Sequence, residues 1–257
     1  MTPFFSVCIP ASGRSSTILR TLASLEKQTY DFFDIIVSVR GDKEVLNKVK
    51  DYSQRSSRLI QVHDVQDEVN YCNDWNDSID LATGEYIAVL EGDDCYMPDY
   101  LEKTKILIDS FDCQIAVFSK TNRHAGNVSF HYSSREFYKF IYGLSTVPAP
   151  SESIFPRVID GKTVRYDTGS YHYAPEIDLY LRLTHKLKYF IRTDNYGVYR
   201  EPSTDPYNRI KWIYYRDHFY VLFRYFNIKL VPIFIKGLAN VLLVYFKSIV
   251  FFVCMKK

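Results

Sequence analysis

The chain has 257 residues, enough for one large domain or for one domain with a small appendage. Its 47% hydrophobic and 24% charged residues are ordinary for a globular protein. The five cysteines show no CxxC spacing, which argues against a disulfide framework or a zinc site and for a reducing compartment. The N-terminus has no basic segment followed by a cleavage-like site, so we expect no signal peptide.

The first 120 residues alternate short apolar runs with segments of helical spacing. In the first such segment Ile18, Leu22 and Leu25 share one face, and Ser16 or Thr17 would cap the helix. Predicted strands cover residues 4–9, 35–39, 59–62, 86–90 and 114–119, and predicted helices cover 17–28, 42–57 and 70–82, with another opening at Met97 and Pro98. The alternation predicts an α/β fold with a mostly parallel sheet, whose ligand loops follow the carboxyl ends of the strands.

The pattern changes after residue 120. Residues 122–175 mix polar turns with aromatic side chains, and prolines interrupt any regular element. A helix is predicted from Pro175 to about residue 186, and a strand at 189–191.

A cluster of acids follows the fourth predicted strand. That strand comes after Gly84, which we expect to cap the preceding helix, and it ends at Glu91, Asp93 and Asp94 around Gly92. Three carboxylates in four positions repel one another unless a cation is present, and Mg²⁺ or Mn²⁺ prefers such oxygen ligands. A solvated acidic loop is the alternative interpretation.

Four segments of this chain resemble, in order and spacing, the family 2 glycosyltransferases, which have the GT-A fold. The resemblance covers residues 4–120 well and 170–200 loosely. The segments are Ser6 to Pro10 with Arg14, Leu25 to Thr29 with Asp34 to Val37, Trp75 to Ile79 with Ala82 to Ile87, and Leu90 to Asp94 with Pro98 and Leu101. The resemblance implies a donor that is a nucleoside-diphosphate sugar, with a UDP-sugar expected first.

The resemblance also implies roles for individual residues. Asp93 would be the main ligand of Mn²⁺ or Mg²⁺, Glu91 would touch the metal or the ribose, and Asp94 would support the site. The metal would neutralise charge on the leaving nucleoside diphosphate. Further donor-binding candidates from the matching segments and their loops are Pro10, Ser12, Arg14, Val39, Asp42, Asn76 and Arg200.

Val39 stands where many family members carry an Asp that binds the nucleoside. Asp42 is a candidate substitute, and backbone groups are the other option. The departure leaves dTDP- and GDP-sugars open beside UDP-sugars.

The segment Pro175 to Arg182 resembles a later family motif that carries the catalytic base. Glu176 falls at the position of the base and would take a proton from the acceptor hydroxyl, with inversion at the anomeric carbon. Asp178 is the rival base, and a third reading is that Glu176 only stabilises the helix dipole. Arg182 would pair with these carboxylates, and Arg200 would reach the diphosphate or form a surface salt bridge.

The end of the chain is basic and aromatic. From residue 207 onward it carries nine Lys and Arg against the single acid Asp217. Lys229, Lys236, Asn240 and Lys247 form a narrow polar stripe on an apolar helix, which favours a helix lying at a membrane surface over one spanning it. Packing of this helix on the catalytic domain or on a dimer partner is the alternative.

These patterns divide the chain into a GT-A catalytic domain at 1–205, with a nucleotide-sugar half at 1–120 and an acceptor half at 121–205, and an amphipathic helical tail at 206–257. The resemblance implies a bacterial enzyme of O-antigen or capsule synthesis with a polyprenyl-diphosphate-linked acceptor, and the tail would hold it at the cytoplasmic face of the inner membrane. The basic tail leaves a nucleic-acid partner possible, but its apolar face argues against one. A sugar nucleotidyltransferase would need a Gly-rich basic loop after the first strand, where only Gly13 and Arg14 stand. A non-catalytic membrane adaptor stays open because of Val39 and Glu91.

Overall fold

The structure is a computed structural model. It describes residues 2–14, 16–66, 71–122, 130–142, 148–169 and 175–200, together with positions 217, 220, 221, 223–225, 232, 235 and 239.

The described elements alternate as expected through residue 121, except that a short unpredicted strand at Asp94–Tyr96 follows the fourth strand directly. In chain order they are β1 (Phe5–Pro10), α1 (Ile18–Glu26), β2 (Phe33–Arg40), α2 (Lys43–Ser53), β3 (Ile60–Val65), α3 (Tyr71–Leu81), β4 (Tyr86–Val89), β5 (Asp94–Tyr96), α4 (Tyr100–Asp109), β6 (Ile115–Thr121), β7 (Phe130–Ser133), α5 (Ser134–Tyr142), a short 3₁₀ helix (Pro150–Glu152), β8 (Ser153–Pro156), β9 (Val158–Ile159), β10 (Lys162–Thr163), α6 (Pro175–Leu183) and β11 (Tyr189–Arg200).

Within the described residues, one nine-stranded sheet forms the centre of the molecule. Its order is β3-β2-β1-β4-β8-β6-β11-β5, and β7 also pairs with β11. Strands β1 to β4 run parallel, β8 lies antiparallel between β4 and β6, and β11 runs parallel to β6 but antiparallel to β5 and β7. The predicted α/β fold with a mostly parallel sheet is confirmed.

Both faces of the sheet are covered, and the alternation of side chains along each strand decides which face they fill. In β1, Phe5, Val7 and Ile9 pack with helices α1, α2 and α4, whereas Cys8 packs on the other face with α3, α5 and α6. The predicted inward face of α1 is confirmed, because Ile18, Leu22 and Leu25 are fully buried.

One local prediction is wrong, and another is confirmed only in its position. Gly84 does not cap α3 in a left-handed conformation; it is required because a Cβ there would lie 2.6 Å from the backbone nitrogen of Ser6. Thr17 is the N-cap residue of α1, but its hydroxyl makes no cap and instead donates to the carbonyl oxygen of Gly92 at 2.8 Å. Both Gly84 and the hydroxyl of Thr17 are therefore engaged in contacts with residues distant in the sequence, and neither caps a helix.

The stretch that looked irregular contains β7, α5, the 3₁₀ helix and β8. Strand β8 is only four residues long, and its neighbours β4 and β6 bury it completely. A strand this short, close behind prolines, gives too few residues for a periodic pattern to be recognised in the sequence.

Most of the predicted tail at 206–257 lies outside the described residues. Val221 is fully buried with the α5–α6 side of the core, and the hydroxyl of Tyr138 donates to the carbonyl oxygen of Tyr225 at 2.5 Å. Val221 and Tyr225 therefore contact the domain. Among the described residues, no helix has both the length and the hydropathy needed to cross a bilayer.

Candidate active site

The loops after β1 and β2 are tied to each other at the carboxyl edge of the sheet. Gly13 and Gly41 both adopt positive φ angles, of 72° and 64°. The backbone N–H of Gly13 donates to Asp42 at 3.0 Å, and that of Arg40 donates to the hydroxyl of Ser12 at 2.9 Å. The other carboxylate oxygen of Asp42 caps α2 by accepting from Val45 at 3.0 Å.

Val39 and Asp42, the two candidates for nucleoside contacts, are engaged differently. The side chain of Val39 is 1% exposed in the core, so any contact to a ligand has to come from its backbone. Both carboxylate oxygens of Asp42 already accept backbone hydrogen bonds.

A buried ion cluster lies under these loops, and sequence reasoning missed it. The guanidinium of Arg40, which is 3% exposed, donates to Asp74 at 2.7 Å and also to Asp77. Burial raises the pKa of Asp74 and outweighs its hydrogen bonds with Arg40 and Ser12, which lower it. The cluster fastens α3 to the end of β2.

Asn76 holds a distant loop by two reciprocal hydrogen bonds. Its amide donates to the carbonyl oxygen of Tyr166 at 3.0 Å and accepts from the backbone N–H of Tyr166 at 2.9 Å. The ring of Tyr166 lies against Trp75, with centroids 4.8 Å apart. This donor-binding candidate therefore holds the loop that carries Tyr166 against α3.

A sharp turn follows β4 and presents the acidic residues. The backbone N–H of Glu91 donates to the hydroxyl of Ser151 at 3.0 Å. A Cβ on Gly92 would lie 3.0 Å from Cγ of Arg14 and 3.3 Å from the carbonyl oxygen of Pro10, so the first loop passes directly over the turn. The guanidinium of Arg20 donates to the carbonyl oxygen of Asp93 at 2.9 Å.

The carboxylates of Glu91, Asp93 and Asp94 converge, with one oxygen of each lying within 4.8 Å of the others. Burial raises the pKa of Glu91 to about 7, and the negative charge of Asp94 adds to this effect. An all-oxygen ligand set whose members disfavour one another's ionisation suits a hard divalent cation, so these residues fit Mn²⁺ or Mg²⁺.

Two guanidinium groups flank the carboxylates. Arg14 lies 3.6 Å from Asp93. Pairing of β11 with β5 places Arg200 opposite Asp94, and its side chain lies 3.4 Å from Asp94 and 3.8 Å from Glu91. Arg200 is 24% exposed and belongs to this cluster, so it is not an isolated surface salt bridge.

Glu176 lies in the first turn of α6 and is electrostatically coupled to the acidic cluster. Burial raises its pKa to about 8; a backbone N–H and the charge of Arg200 lower it, and the negative charge of Glu91 raises it. A carboxyl group with a pKa near neutrality is suited to accept a proton in a reaction.

Asp178 is fully buried and engaged in a structural network. Its carboxylate accepts from Arg182 at 2.6 Å and from the hydroxyl of Tyr225 at 2.7 Å, and Arg224 lies 3.5 Å away. The predicted pairing of Arg182 with this carboxylate is confirmed. The network joins α6 to the segment around residue 225.

Comparison with known proteins identifies the family. The model of glycosyl transferase family 2 matches residues 6–200. The chain belongs to this family.

A curated relative aligns with part of this family 2 chain. The chain is 32% identical over 124 residues to the amylovoran biosynthesis glycosyltransferase AmsB of Erwinia amylovora, and this alignment covers 46% of the chain and 41% of AmsB. This chain thus matches less than half the length of that relative.

Two solved structures share the fold at 14% sequence identity. The Pyrobaculum calidifontis mannosyltransferase PcManGT, in complex with GDP-Man and Mn²⁺, superposes with a TM-score of 0.68 over 92% of this chain and 69% of that chain. S. aureus TarS in complex with UDP-GlcNAc gives 0.64 over 92% and 80%.

Glu152 is the second feature of this family 2 site that sequence reasoning missed. It ends the 3₁₀ helix, is 2% exposed, and lies 3.6 Å from Arg200. Burial raises its pKa to about 7, against the positive charges of Arg200 and Arg192. The available signal was an acid two residues before the apolar pair Ile154-Phe155, between prolines that were interpreted only as interruptions of regular structure.

Proposed function

We propose that the protein is an inverting glycosyltransferase that moves a sugar from a nucleoside-diphosphate sugar to a hydroxyl of a lipid-linked glycan. The observation that carries the proposal is the convergence of the Glu91, Asp93 and Asp94 carboxylates in a chain of glycosyl transferase family 2. Glu176, whose pKa burial raises to about 8, adds a group suited to act as a base. One group of residues suits a charged diphosphate with its cation, and the other suits a general base.

Glu91, Asp93 and Asp94 would hold Mn²⁺ or Mg²⁺. A bound ion would neutralise the negative charge that develops on the departing nucleoside diphosphate. Arg14 and Arg200 contribute positive charge beside the same carboxylates.

The donor would lie across the carboxyl ends of β1, β2 and β4, where the first loop, with Pro10 and Ser12, meets the acidic turn. Asn76, a further donor-binding candidate, holds the loop that carries Tyr166 against α3. The fold neighbours were solved with UDP-GlcNAc and with GDP-Man, so neighbours of this fold accept different bases. A UDP-sugar is the first donor to test, followed by GDP- and dTDP-sugars.

Glu176 would accept the proton of the acceptor hydroxyl as its oxygen attacks the anomeric carbon. Attack opposite the leaving diphosphate in one displacement inverts that centre. Asp178 is the weaker candidate for the base, because Arg182 and Tyr225 already occupy its carboxylate oxygens.

The acceptor is proposed as a polyprenyl-diphosphate-linked oligosaccharide at the cytoplasmic face of a bacterial inner membrane. Support comes from the basic, apolar sequence of 206–257 beside a catalytic domain at 1–205, and from the relative AmsB, whose name places it in biosynthesis of the polysaccharide amylovoran. In this proposal the tail binds the membrane surface peripherally and delivers the domain to its acceptor.

A panel of UDP-, GDP- and dTDP-sugars, assayed for release of the nucleoside diphosphate, tests the proposal. Release from one donor should require Mn²⁺ or Mg²⁺, should disappear with a chelator, and should be lost in Asp93→Asn. Binding of a donor without turnover under every condition would instead support a non-catalytic adaptor.

A further inference from the structure

Arg200 occupies an unusual position among three carboxylates. Its nitrogens lie 3.4 Å from Asp94, 3.6 Å from Glu152 and 3.8 Å from Glu91. All three distances exceed the normal hydrogen-bond range of about 2.7–3.2 Å. The guanidinium is therefore held by charge, at the centre of the carboxylates, without a fixed hydrogen bond to any of them.

Within the described residues, several buried atoms of this group make no hydrogen bond. Nε of Arg200 and Oε2 of Glu152 are among them, and the Glu152 side chain is 98% buried. Polar atoms left unsatisfied at such depth are costly, which indicates an arrangement that changes when the site is filled.

The three carboxylates around Arg200 are not equivalent. Glu91 and Asp94 are candidate ligands of the divalent cation, whereas Glu152 is outside that set. A cation bound by Glu91 and Asp94 would repel the guanidinium, and within the described part of the chain Glu152 is the remaining carboxylate that Arg200 contacts.

Glu152 is rigidly placed for this task. Its backbone N–H donates to the carbonyl oxygen of Ala149 at 2.9 Å, and the hydroxyl of Ser153 donates to that of Pro150 at 2.8 Å. The 3₁₀ helix that they stabilise leads into β8, which is paired on both sides. The backbone of Glu152 is therefore anchored by contacts that do not involve Arg200 or the acidic cluster.

We propose that Arg200 is an internal counter-ion that competes with the divalent cation for Glu91 and Asp94, and that Glu152 is the positioning residue that retains Arg200 beside the site once the cation is bound. The proposal rests on the metal site and the diphosphate donor of the proposed function. It adds that the guanidinium moves from the metal ligands to Glu152 and is left free to contact a phosphate oxygen.

The test is the affinity for Mn²⁺ alone, measured by electron paramagnetic resonance of free Mn²⁺ without donor at one fixed pH. The variants are Arg200→Gln, Arg200→Lys, Glu152→Gln and the double variant Arg200→Gln/Glu152→Gln. Glu44→Gln, on the exposed surface of α2, is the control for loss of one negative charge, and thermal unfolding checks that each variant is folded.

Arg200→Gln should bind Mn²⁺ about fivefold more tightly, because the competing cation is gone, and Arg200→Lys should stay close to the wild type. Glu152→Gln should bind it about fivefold more weakly, because Arg200 then stays on Glu91 and Asp94. In the Arg200→Gln background, Glu152→Gln should change the affinity by less than about twofold.

An equal effect of Glu152→Gln in both backgrounds would overturn the proposal, because Glu152 would then act only through its own charge on the cation. Unchanged Mn²⁺ affinity in Arg200→Gln would also overturn it. Asp93→Asn distinguishes failure of this inference from failure of the proposed metal site. If Asp93→Asn abolishes Mn²⁺ binding while the effects of Arg200→Gln and Glu152→Gln are additive, the metal site stands and the role of Glu152 is wrong. If Asp93→Asn binds Mn²⁺ like the wild type, the metal site itself is wrong and both fall.

Discussion

Replacement of Glu176 by Gln is expected to stabilise the fold at alkaline pH while it removes activity. In the folded protein the pKa of Glu176 is raised from its ordinary value of 4.5 to about 8, chiefly by burial. The native state then holds a proton that the unfolded chain has released, so wild-type stability falls as pH rises from about 4.5 to about 8. Gln carries no ionisable proton and avoids this loss.

The size of the effect follows from the same shift. One proton contributes at most about 1.4 kcal/mol per pH unit within the window. Part of the Glu176 side chain is exposed, and solvent screening reduces the effect on stability. We therefore expect a gain of about 1–3 kcal/mol for Glu176→Gln above pH 8 and little difference below pH 5. Loss of a helix-dipole interaction in the first turn of α6 would cost about 0.3–1 kcal/mol, which is smaller and of opposite sign.

Urea unfolding between pH 5 and pH 9, with a chelator present, measures this difference. Glu44→Gln is the matched control, because Glu44 also lies in the first turn of a helix but is exposed and paired with Lys48. That control should lose a few tenths of a kcal/mol at every pH.

Glycosyl transfer supplies the second readout for Glu176→Gln. The rate should fall about 10²- to 10⁴-fold while donor binding is kept. With a base of pKa about 8, the wild-type rate should rise about tenfold between pH 7 and pH 9. A variant that is less stable than the wild type at alkaline pH and still transfers sugar would refute the reasoning and leave Glu176 as a dipole partner only.

Three further outcomes are expected. Asp178→Asn should lower the free energy of unfolding, because it weakens the hydrogen bond between α6 and Tyr225. It should reduce the rate of transfer far less than Glu176→Gln does. A larger loss of rate in Asp178→Asn than in Glu176→Gln would make Asp178 the base. Gly84→Ala should lower the unfolding free energy by about 1–3 kcal/mol through its clash with β1, whereas Gly169→Ala, whose added Cβ meets nothing closer than 3.9 Å, should be close to neutral in the same denaturation assay. Removal of residues 229–257 should abolish co-sedimentation with anionic vesicles while the shortened chain keeps nucleoside diphosphate release; unchanged sedimentation would exclude these residues as the anchor.

Local patterns in the chain determined the nucleotide-sugar half of the fold and the acidic turn. Runs such as Phe5 to Ile9 are buried on both sides, so continuous hydrophobicity marks them as strands of a covered parallel sheet, and the spacing of Ile18, Leu22 and Leu25 marks the inward face of α1. Since the carboxyl ends of these strands meet at one edge, acids directly after β4 had to lie in the ligand crevice.

Only the tertiary structure decided which residues far apart in the chain complete the site. Glu152 reaches Arg200 because four-residue β8 enters between β4 and β6, and Asp178 meets Tyr225 across 47 positions of sequence. Periodicity reports whether a segment is buried, because that depends on its own alternation of side chains. It does not report which distant strand pairs with it, because that choice depends on packing and charge summed over the whole domain.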